Sequence, residues 1–188
     1  IAAAVGALKG FRHGGANVKV VEMMQYLTRA VRDWSDDSQV KDQLVRILRR
    51  ELGDGTGLIY GMGHAVYTLS DPRAEILKQF SRHLAEKRGM VDQLDLIESV
   101  ERLAPQVFQE VRGIDKPICA NVDLYSGFVY RLLGIPTDLY TAIFASARMA
   151  GWCAHRMEEC CSDDPRIIRP AYKTVCKRVP YVPLPDRG

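Results

Sequence analysis

The stretch from Asn17 to Leu52, NVKVVEMMQYLTRAVRDWSDDSQVKDQLVRILRREL, decides the fold class of this 188-residue chain. Its apolar residues recur at intervals of three and four positions, which places them on one face of an α-helix. A polar cluster around Ser35 separates two such runs. The runs consist of Val20, Met24, Leu27 and Val31, and then of Val40, Leu44, Ile47 or Leu48, and Leu52. The stretch therefore predicts two amphipathic helices joined by a polar turn.

Helix signals continue on the C-terminal side of this pair. A glycine-rich segment at residues 53–57 ends the second helix, and a loop with further glycines follows. Asp71 and Pro72 then predict an N-cap and a first-turn proline for a helix that ends at Gly89. The apolar residues expected to be buried on that helix are Ile76, Leu77, Phe80 and Leu84.

The remaining chain also has a helical pattern. A helix is expected around residues 94–105, on the set Leu94, Ile97 and Val100 or the shifted set Leu96, Val100 and Leu103, with an interruption at Pro105. Residues 125–133 are apolar enough for a buried helix capped by Gly134, and a long helix is expected from Asp138 to about Cys161. No sustained alternation of polar and apolar residues occurs, so the predicted class is all-α, with an extended proline-rich tail at 180–188.

Composition excludes several classes of protein. A hydrophobic content of 47% with 26% charged residues is typical of a globular chain that buries a sizeable core. The net charge of +3 is too small and too interleaved with acids to indicate nucleic acid or membrane binding. The opening residues 1–5 are too short for a signal peptide, and they read as a helix cut in the middle, so we expect a fragment or processed product.

The cysteines predict a reducing compartment rather than a disulfide or metal framework. Their number is odd and they show no C-x-x-C or metal-type spacing. We therefore expect reduced thiols in a cytoplasmic protein, packed as small buried hydrophobic residues. No metal site is predicted from them. They are Cys119, Cys153, Cys160, Cys161 and Cys176.

Three polar residues are candidates for acid/base chemistry. Asp123 lies at the start of an apolar helix, where partial burial would make it a stronger base; its alternative role is to N-cap a helix beginning near Tyr125. His13 precedes a helix start, where a neutral imidazole can donate to a developing enolate oxygen, although such a histidine can also be a surface or capping residue. His64 lies in a loop whose glycines let backbone amides approach a ligand.

Several arginines could bind anionic groups. Arg73, in the first turn of its helix, could grip a carboxylate bidentately or be a solvated charge. Arg148 has small apolar neighbours and is expected to need an anionic partner. Arg166 and Arg169 could serve the same purpose or lie in a surface loop.

Six motifs occur in an order that resembles bacterial citrate synthase. Each is modest alone, and their order and spacing make the resemblance specific, from the first residues to about Tyr172. They correspond to the C-terminal half of a family member, which contains the small domain. The motifs are Lys9-Gly-Phe-Arg-His13-Gly-Gly-Ala-Asn17, Gly61-Met-Gly-His64-Ala-Val-Tyr, Asp71-Pro-Arg73, Asn121-Val-Asp123-Leu-Tyr-Ser-Gly127, Phe144-Ala-Ser-Ala-Arg148 and Ile168-Arg169-Pro170.

The resemblance implies a Claisen condensation of acetyl-CoA with oxaloacetate, followed by hydrolysis of citryl-CoA. Asp123 matches the base that removes a proton from the acetyl methyl group. His13 matches the group that stabilises the enol oxygen, and His64 the group that polarises or protonates the oxaloacetate carbonyl. The two histidines match oxaloacetate-binding residues together with Arg73, Arg148 and Arg169, the last of which acts across a dimer interface in the family.

The resemblance also implies where coenzyme A binds. The family uses backbone groups of the loop before the second histidine, and no cofactor is implied because acetyl-CoA is a substrate. Relatives often have basic residues for the coenzyme A phosphates where this chain has Ala65 and Thr68. The matching coenzyme A residues are Tyr60, Gly61, Met62, Gly63 and Asn121.

Domain boundaries follow from the same match. Residues 1–12 are expected to end a large-domain helix, residues 13–134 to form the small domain, and residues 135–188 to form the C-terminal part of the large domain with its tail. The family's first half supplies most of the large domain and of the homodimer interface. We therefore expect the isolated chain to have little or no synthase activity.

Two other functions stay open at the level of sequence. The first is 2-methylcitrate synthase, which uses propionyl-CoA through the same residues. The second is a non-catalytic helical module that binds coenzyme A or another subunit. No sequence feature decides between acetyl-CoA and propionyl-CoA, because one methylene changes the free energy of binding by only about 1 to 3 kcal/mol.

Overall fold

A computed structural model describes residues 1–9, 15–163 and 180–187. These residues form α-helices and two short 3₁₀ turns, at Thr137–Leu139 and Leu184–Asp186, and contain no β-strand. The predicted all-α class is therefore confirmed. The helices are α1 (Ala2–Leu8), α2 (Ala16–Ala30), α3 (Asp37–Leu48), α4 (Pro72–Arg88), α5 (Val91–Arg112), α6 (Val122–Leu132) and α7 (Tyr140–Cys160).

The helix ends follow ordinary capping chemistry. The Asp36 side chain accepts a hydrogen bond from the Ser38 backbone N–H at 2.9 Å and so caps α3. Asp71 caps α4, and Pro72 is the first residue of that helix, as the sequence predicts. Gly89 ends α4 with a φ of 64°, in the left-handed region that glycine adopts without a steric cost.

Apolar side chains form two clusters that share α2 and α5. The first cluster joins α2 and α3 to α5, and the second joins α2, α4, α5 and α6. The first cluster includes five side chains with no exposed surface, Leu27, Val40, Leu44, Val100 and Val107. The second includes Val20, Leu94, Leu124, Tyr125 and Phe128.

A partly buried polar contact joins α4, α5 and α6. The Tyr125 hydroxyl donates to Glu101 Oε2 at 2.6 Å, and Lys78 Nζ pairs with the same oxygen at 2.6 Å. Tyr125 is fully buried, and burial together with the Glu101 carboxylate raises the pKa of its phenol above the ordinary range. Since Tyr125 lies two residues after Asp123, this contact fixes the helix that carries the candidate base.

The interruption predicted at Pro105 is wrong, because α5 runs unbroken from Val91 to Arg112. A proline inside a helix removes one backbone hydrogen bond and costs about 3 kcal/mol. The buried face continues on both sides of the proline, at Leu103, Ala104, Val107 and Phe108. Burial of those side chains offsets the local cost and keeps the helix continuous.

The predicted core face of α4 is also partly wrong. Ile76 and Phe80 are 54% and 62% exposed. The helix instead buries the small residues Ala74, Ser81 and Ala85, with Leu77 and Leu84 packed at the side. Small side chains let the α4 backbone approach its packing partner α6 closely. The face of α4 that contacts α6 is therefore the one with the smallest side chains.

The chain divides into two compact units, residues 1–150 and 151–188. The second contains the end of α7 and, among its described residues, the 3₁₀ turn at 184–186 in place of a fully extended tail. The boundaries at residues 12 and 134 stay a prediction. None of the described helices is long and apolar enough to cross a lipid bilayer.

Four of the five cysteines lie in the described part of the chain, and all four are free thiols, as predicted. The expectation that they are buried holds for Cys119 but is wrong for Cys153, Cys160 and Cys161, which are exposed on or next to α7. All residues from 153 to 161 are exposed, so this end of α7 offers no buried face to the three thiols. Cys176 lies outside the described residues.

Candidate functional site

A short backbone pairing joins the loop before His64 to the start of α6. The Gly63 N–H donates to the Cys119 carbonyl at 2.7 Å, and the Asn121 N–H donates to the Gly61 carbonyl at 2.8 Å. The Asn121 side chain adds a third bond, from Nδ2 to the Gly63 carbonyl at 2.9 Å. Two segments almost 60 positions apart in sequence are therefore held side by side, and each carries a candidate catalytic residue.

Gly61 allows this close approach. Its φ is 82°, and a Cβ built on it would lie 2.8 Å from the Leu124 Cα and 2.9 Å from the Leu124 Cβ. Real Cβ atoms do not approach backbone so closely. The loop can pack on the first turn of α6 only because residue 61 has no side chain.

The base candidate lies in the first turn of α6, but it does not cap the helix. Asn121 is the N-cap, and its Oδ1 accepts a hydrogen bond from the Asp123 N–H at 2.9 Å. The capping role considered for Asp123, with a helix start near Tyr125, is therefore wrong. Asp123 is half-buried, as expected, and helical amides at this position favour a negative charge.

His64 has a defined proton arrangement. Its Nδ1 accepts hydrogen bonds from the backbone N–H groups of Val66 at 2.9 Å and Tyr67 at 3.0 Å. An accepting nitrogen carries no proton, so the neutral ring holds its proton on Nε2. The half-buried imidazole thus presents a hydrogen-bond donor on the side away from its own loop.

Arg73 stands directly beside that donor. Its Nη2 lies 3.2 Å from His64 Nε2. In the tautomer fixed by the loop, both nitrogens are donors, so they do not satisfy each other. Two donors side by side suit an oxygen-rich anion, for example adjacent carbonyl and carboxylate oxygens.

Asp71 binds Arg73 from the other side. Oδ1 accepts from Arg73 Nε at 3.0 Å and Oδ2 accepts from Nη2 at 2.8 Å. These hydrogen bonds hold the pKa of the Asp71 carboxyl below its usual value. Asp71 raises the pKa of Arg73, and the charge of Asp123 raises it further, so the base candidate contributes to the potential at this guanidinium. Arg73 thus grips an internal carboxylate with two of its nitrogens, and its predicted role in binding oxaloacetate stays a prediction.

The loop residues predicted to contact coenzyme A are anchored by their side chains. The Tyr60 hydroxyl donates to Asp54 Oδ2 at 2.7 Å, and its ring packs against both apolar clusters. Met62 packs against the same clusters. With the side chains held inward, this loop could meet a ligand only through those backbone groups of residues 60–63 that the pairing with residues 119–121 does not already use.

Arg148 differs from the sequence-based expectation. It is exposed on α7, with its guanidinium 5.8 Å from the centre of the Phe144 ring. We expected the small apolar neighbours of Arg148 to bury it, and this is wrong. Residues 146–150 of α7 are all exposed, so the guanidinium lies at the surface. Its role in binding oxaloacetate stays a prediction.

Three candidates lie outside the described residues. They are His13, Arg166 and Arg169. Of the other predicted site residues, the structure joins the segments of His64, Arg73, Asp123, Asn121 and residues 60–63. The sequence pointed to Asp71 only as a helix cap and to Asn121 only as a coenzyme A contact; their contacts inside the site could not be inferred from capping preferences.

Comparison with known families and curated proteins places the chain. A family model described as the C-terminal domain of citrate synthase matches residues 1–171. A citrate synthase from Deinococcus radiodurans is 37% identical over 185 residues, covering 98% of this chain and 44% of that protein. One from Haloferax volcanii is 37% identical over 188 residues, covering 100% of this chain and 44% of its own length. The chain thus spans less than half the length of these relatives.

Solved structures give the same result. Citrate synthase from Pyrobaculum aerophilum matches with a TM-score of 0.70 and 33% identity, over 99% of this chain and 42% of that one. The Thermoplasma acidophilum enzyme, solved as a ternary complex with carboxymethyl coenzyme A and oxaloacetate, matches with a TM-score of 0.66 and 30% identity. That match covers 97% of this chain and 44% of the other.

Proposed function

Because the chain belongs to the citrate synthase family, we propose that it supplies the condensation site for acetyl-CoA and oxaloacetate, with hydrolysis of citryl-CoA to citrate and CoA. The observation that carries the proposal is the donor pair of His64 Nε2 and Arg73 Nη2 at 3.2 Å, in a segment joined to the start of the Asp123 helix. The Thermoplasma relative, solved with oxaloacetate and a coenzyme A analogue, supports the choice of substrates.

The proposed chemistry divides between a base and two hydrogen-bond donors. Asp123 removes a proton from the acetyl methyl group, and His13 stabilises the oxygen of the resulting enol. The enol carbon attacks the oxaloacetate carbonyl while His64 Nε2–H donates to the oxygen that gains charge. A carboxylate is a weak base toward such a proton, so stabilisation at both oxygens is what makes the step accessible.

Binding roles follow the family's pattern. Arg73, Arg148 and Arg169 hold the oxaloacetate carboxylates, and backbone groups of residues 60–63 together with Asn121 hold coenzyme A. We further propose that the active form is a cytoplasmic homodimer of the tricarboxylic acid cycle. The reduced state of the described cysteines is consistent with that compartment.

The two alternatives have less support. The relatives reported above are named citrate synthase, which does not favour 2-methylcitrate synthase. A module that only binds coenzyme A would not need the donor pair of His64 and Arg73.

Thiol release from acetyl-CoA in the presence of oxaloacetate tests the proposal. The complete product of the coding sequence is expected to turn over acetyl-CoA with a higher kcat/KM than propionyl-CoA, and the 188-residue chain alone is expected to show little or no turnover. A complete product that releases thiol only from propionyl-CoA would support the methylcitrate alternative. Binding of coenzyme A without any turnover would support the non-catalytic module.

A further inference from the structure

The Asp71 side chain makes more contacts than a helix cap requires. It is 0% exposed, and burial of a carboxylate is unfavourable unless its charge is paired. Capping α4 uses one bond, from the Arg73 backbone N–H to Oδ1 at 3.0 Å. The remaining two hydrogen bonds come from the guanidinium of Arg73, from Nε to Asp71 Oδ1 and from Nη2 to Asp71 Oδ2.

These two bonds fix the plane of the Arg73 side chain. A guanidinium held at two points on one edge cannot rotate, so its Nη2 stays beside His64 Nε2. The Arg73 side chain is 45% exposed, and solvent alone would leave so long a side chain in several rotamers. The carboxylate behind it therefore decides where the outward N–H groups point.

We propose that Asp71 is a positioning residue for oxaloacetate. It orients Arg73 so that the N–H groups of Arg73 Nη2 and His64 Nε2 together donate hydrogen bonds to the adjacent keto and carboxylate oxygens of a 2-oxo acid. This inference rests on the proposed function of the site. It assigns Asp71 no contact with substrate. Its effect passes entirely through Arg73.

Substitution of Asp71 distinguishes a positioning role from a purely electrostatic effect of its charge on oxaloacetate binding. Oxaloacetate is a dianion, so removal of a negative charge near its site would by itself strengthen binding. The positioning role predicts the reverse for Asp71→Asn. Asparagine keeps the N-cap and one acceptor oxygen, but it turns an N–H₂ group toward Arg73 Nη2, donor against donor.

The test compares Asp71→Asn with Asp36→Asn in the complete product. Asp36 caps α3 in the same way and is not joined to His64. For Asp71→Asn we expect a higher KM for oxaloacetate and a loss in kcat/KM on the order of 10²-fold, with the KM for acetyl-CoA changed less than about 3-fold. Asp36→Asn is expected to leave all three unchanged. An oxaloacetate KM that is unchanged or lower in Asp71→Asn overturns the proposal.

A second measurement keeps the inference testable when activity is absent or the variant fails to fold. Arginine-selective ¹⁵N NMR of the unmodified protein is expected to show a slowly exchanging Arg73 Nε–H, because that proton is held by a buried carboxylate. Rapid exchange of Arg73 Nε–H with solvent overturns the positioning role. Absence of thiol release with a protected Nε–H would refute the proposed function while leaving the Asp71–Arg73 geometry in place.

Discussion

At His64, two backbone N–H groups decide which chemistry the ring can perform. They occupy Nδ1 and leave the proton on Nε2, so the neutral ring acts as a donor toward a carbonyl oxygen. The residue is thus suited to stabilise a developing alkoxide by hydrogen bonding.

Replacement of this donor gives the first prediction. His64→Ala is expected to lower the kcat of thiol release by about 10²- to 10³-fold, the effect of losing one donor to a developing oxyanion. His64→Gln, which can place an amide N–H₂ near the position of Nε2, is expected to retain more activity than the alanine variant. His83→Ala, on the exposed side of α4, is the control and should match the unmodified enzyme. Equal activity of the two His64 variants would contradict the donor role.

Asp71 gives a prediction about pH. Its pKa is lowered in the folded state, so its contribution to stability is complete above its ordinary pKa and is lost as pH falls through the lowered value. Asp71→Asn is therefore expected to be less stable than the unmodified chain by roughly 1 to 3 kcal/mol at pH 7. The difference in urea-unfolding free energy should shrink from about pH 5 downward. A difference that stays constant to pH 3 would contradict the assigned cause.

At the scale of elements, the junction between the loop of residues 61–63 and α6 assembles the site. Gly61 and Gly63 both have positive φ, at 82° and 89°, but only Gly61 faces Leu124; a Cβ on Gly63 would meet nothing within 4 Å. Substitution of the two glycines therefore separates two contributions to the free energy of unfolding: the cost of a left-handed backbone, and the cost of overlap between a Cβ at residue 61 and Leu124.

Alanine at each glycine measures those two costs. Gly63→Ala is expected to lose about 1 to 2 kcal/mol of unfolding free energy, the cost of a left-handed backbone. Gly61→Ala is expected to lose a further 1 to 3 kcal/mol, roughly, because its Cβ overlaps the α6 backbone. Urea denaturation of both variants gives the comparison. Equal losses would mean that the loop does not pack against α6 as described.

The contact of Tyr125 with Glu101 gives a prediction for the packing of α4, α5 and α6. Tyr125→Phe removes a partly buried hydrogen bond to a carboxylate and is expected to cost about 1.5 to 3 kcal/mol of unfolding free energy. Tyr26→Phe, at a partly exposed position on α2, should cost less than about 0.5 kcal/mol. Similar losses in the two variants would show that the Glu101 contact does not stabilise the helices.

The helices, and the buried faces of α2 and α3, were predictable because local chemistry and periodicity determine them, but the contact face of α4 was not. Asp71 and Gly89 mark the ends of α4 in sequence as they do in the structure. The exposure of Phe80 could not be read from periodicity, because it depends on how closely α6 approaches. The close contact of Gly61 with Leu124 was likewise unpredictable, since it joins residues that are distant in sequence.

For the molecule as a whole, family membership and the described site support one account. The chain matches the C-terminal domain of citrate synthase and spans 44% of the length of the Deinococcus radiodurans and Haloferax volcanii relatives. Its described part contains the base candidate, one of the two candidate catalytic histidines and the arginine beside it, on elements held together by backbone pairing. The order of the sequence motifs indicated the family, whereas the Asp71 contact and the tautomer of His64 needed the folded chain.

The most direct test of the central claim is thiol release from acetyl-CoA and oxaloacetate by Asp123→Asn in the complete product. Asp92→Asn is the matched control, because Asp92 lies in the first turn of α5 as Asp123 does in α6. We predict that Asp123→Asn lowers kcat by at least about 10²-fold with an unchanged melting temperature, whereas Asp92→Asn keeps full activity. An Asp123→Asn enzyme that is as active as the Asp92→Asn control would contradict the assignment of Asp123 as the base.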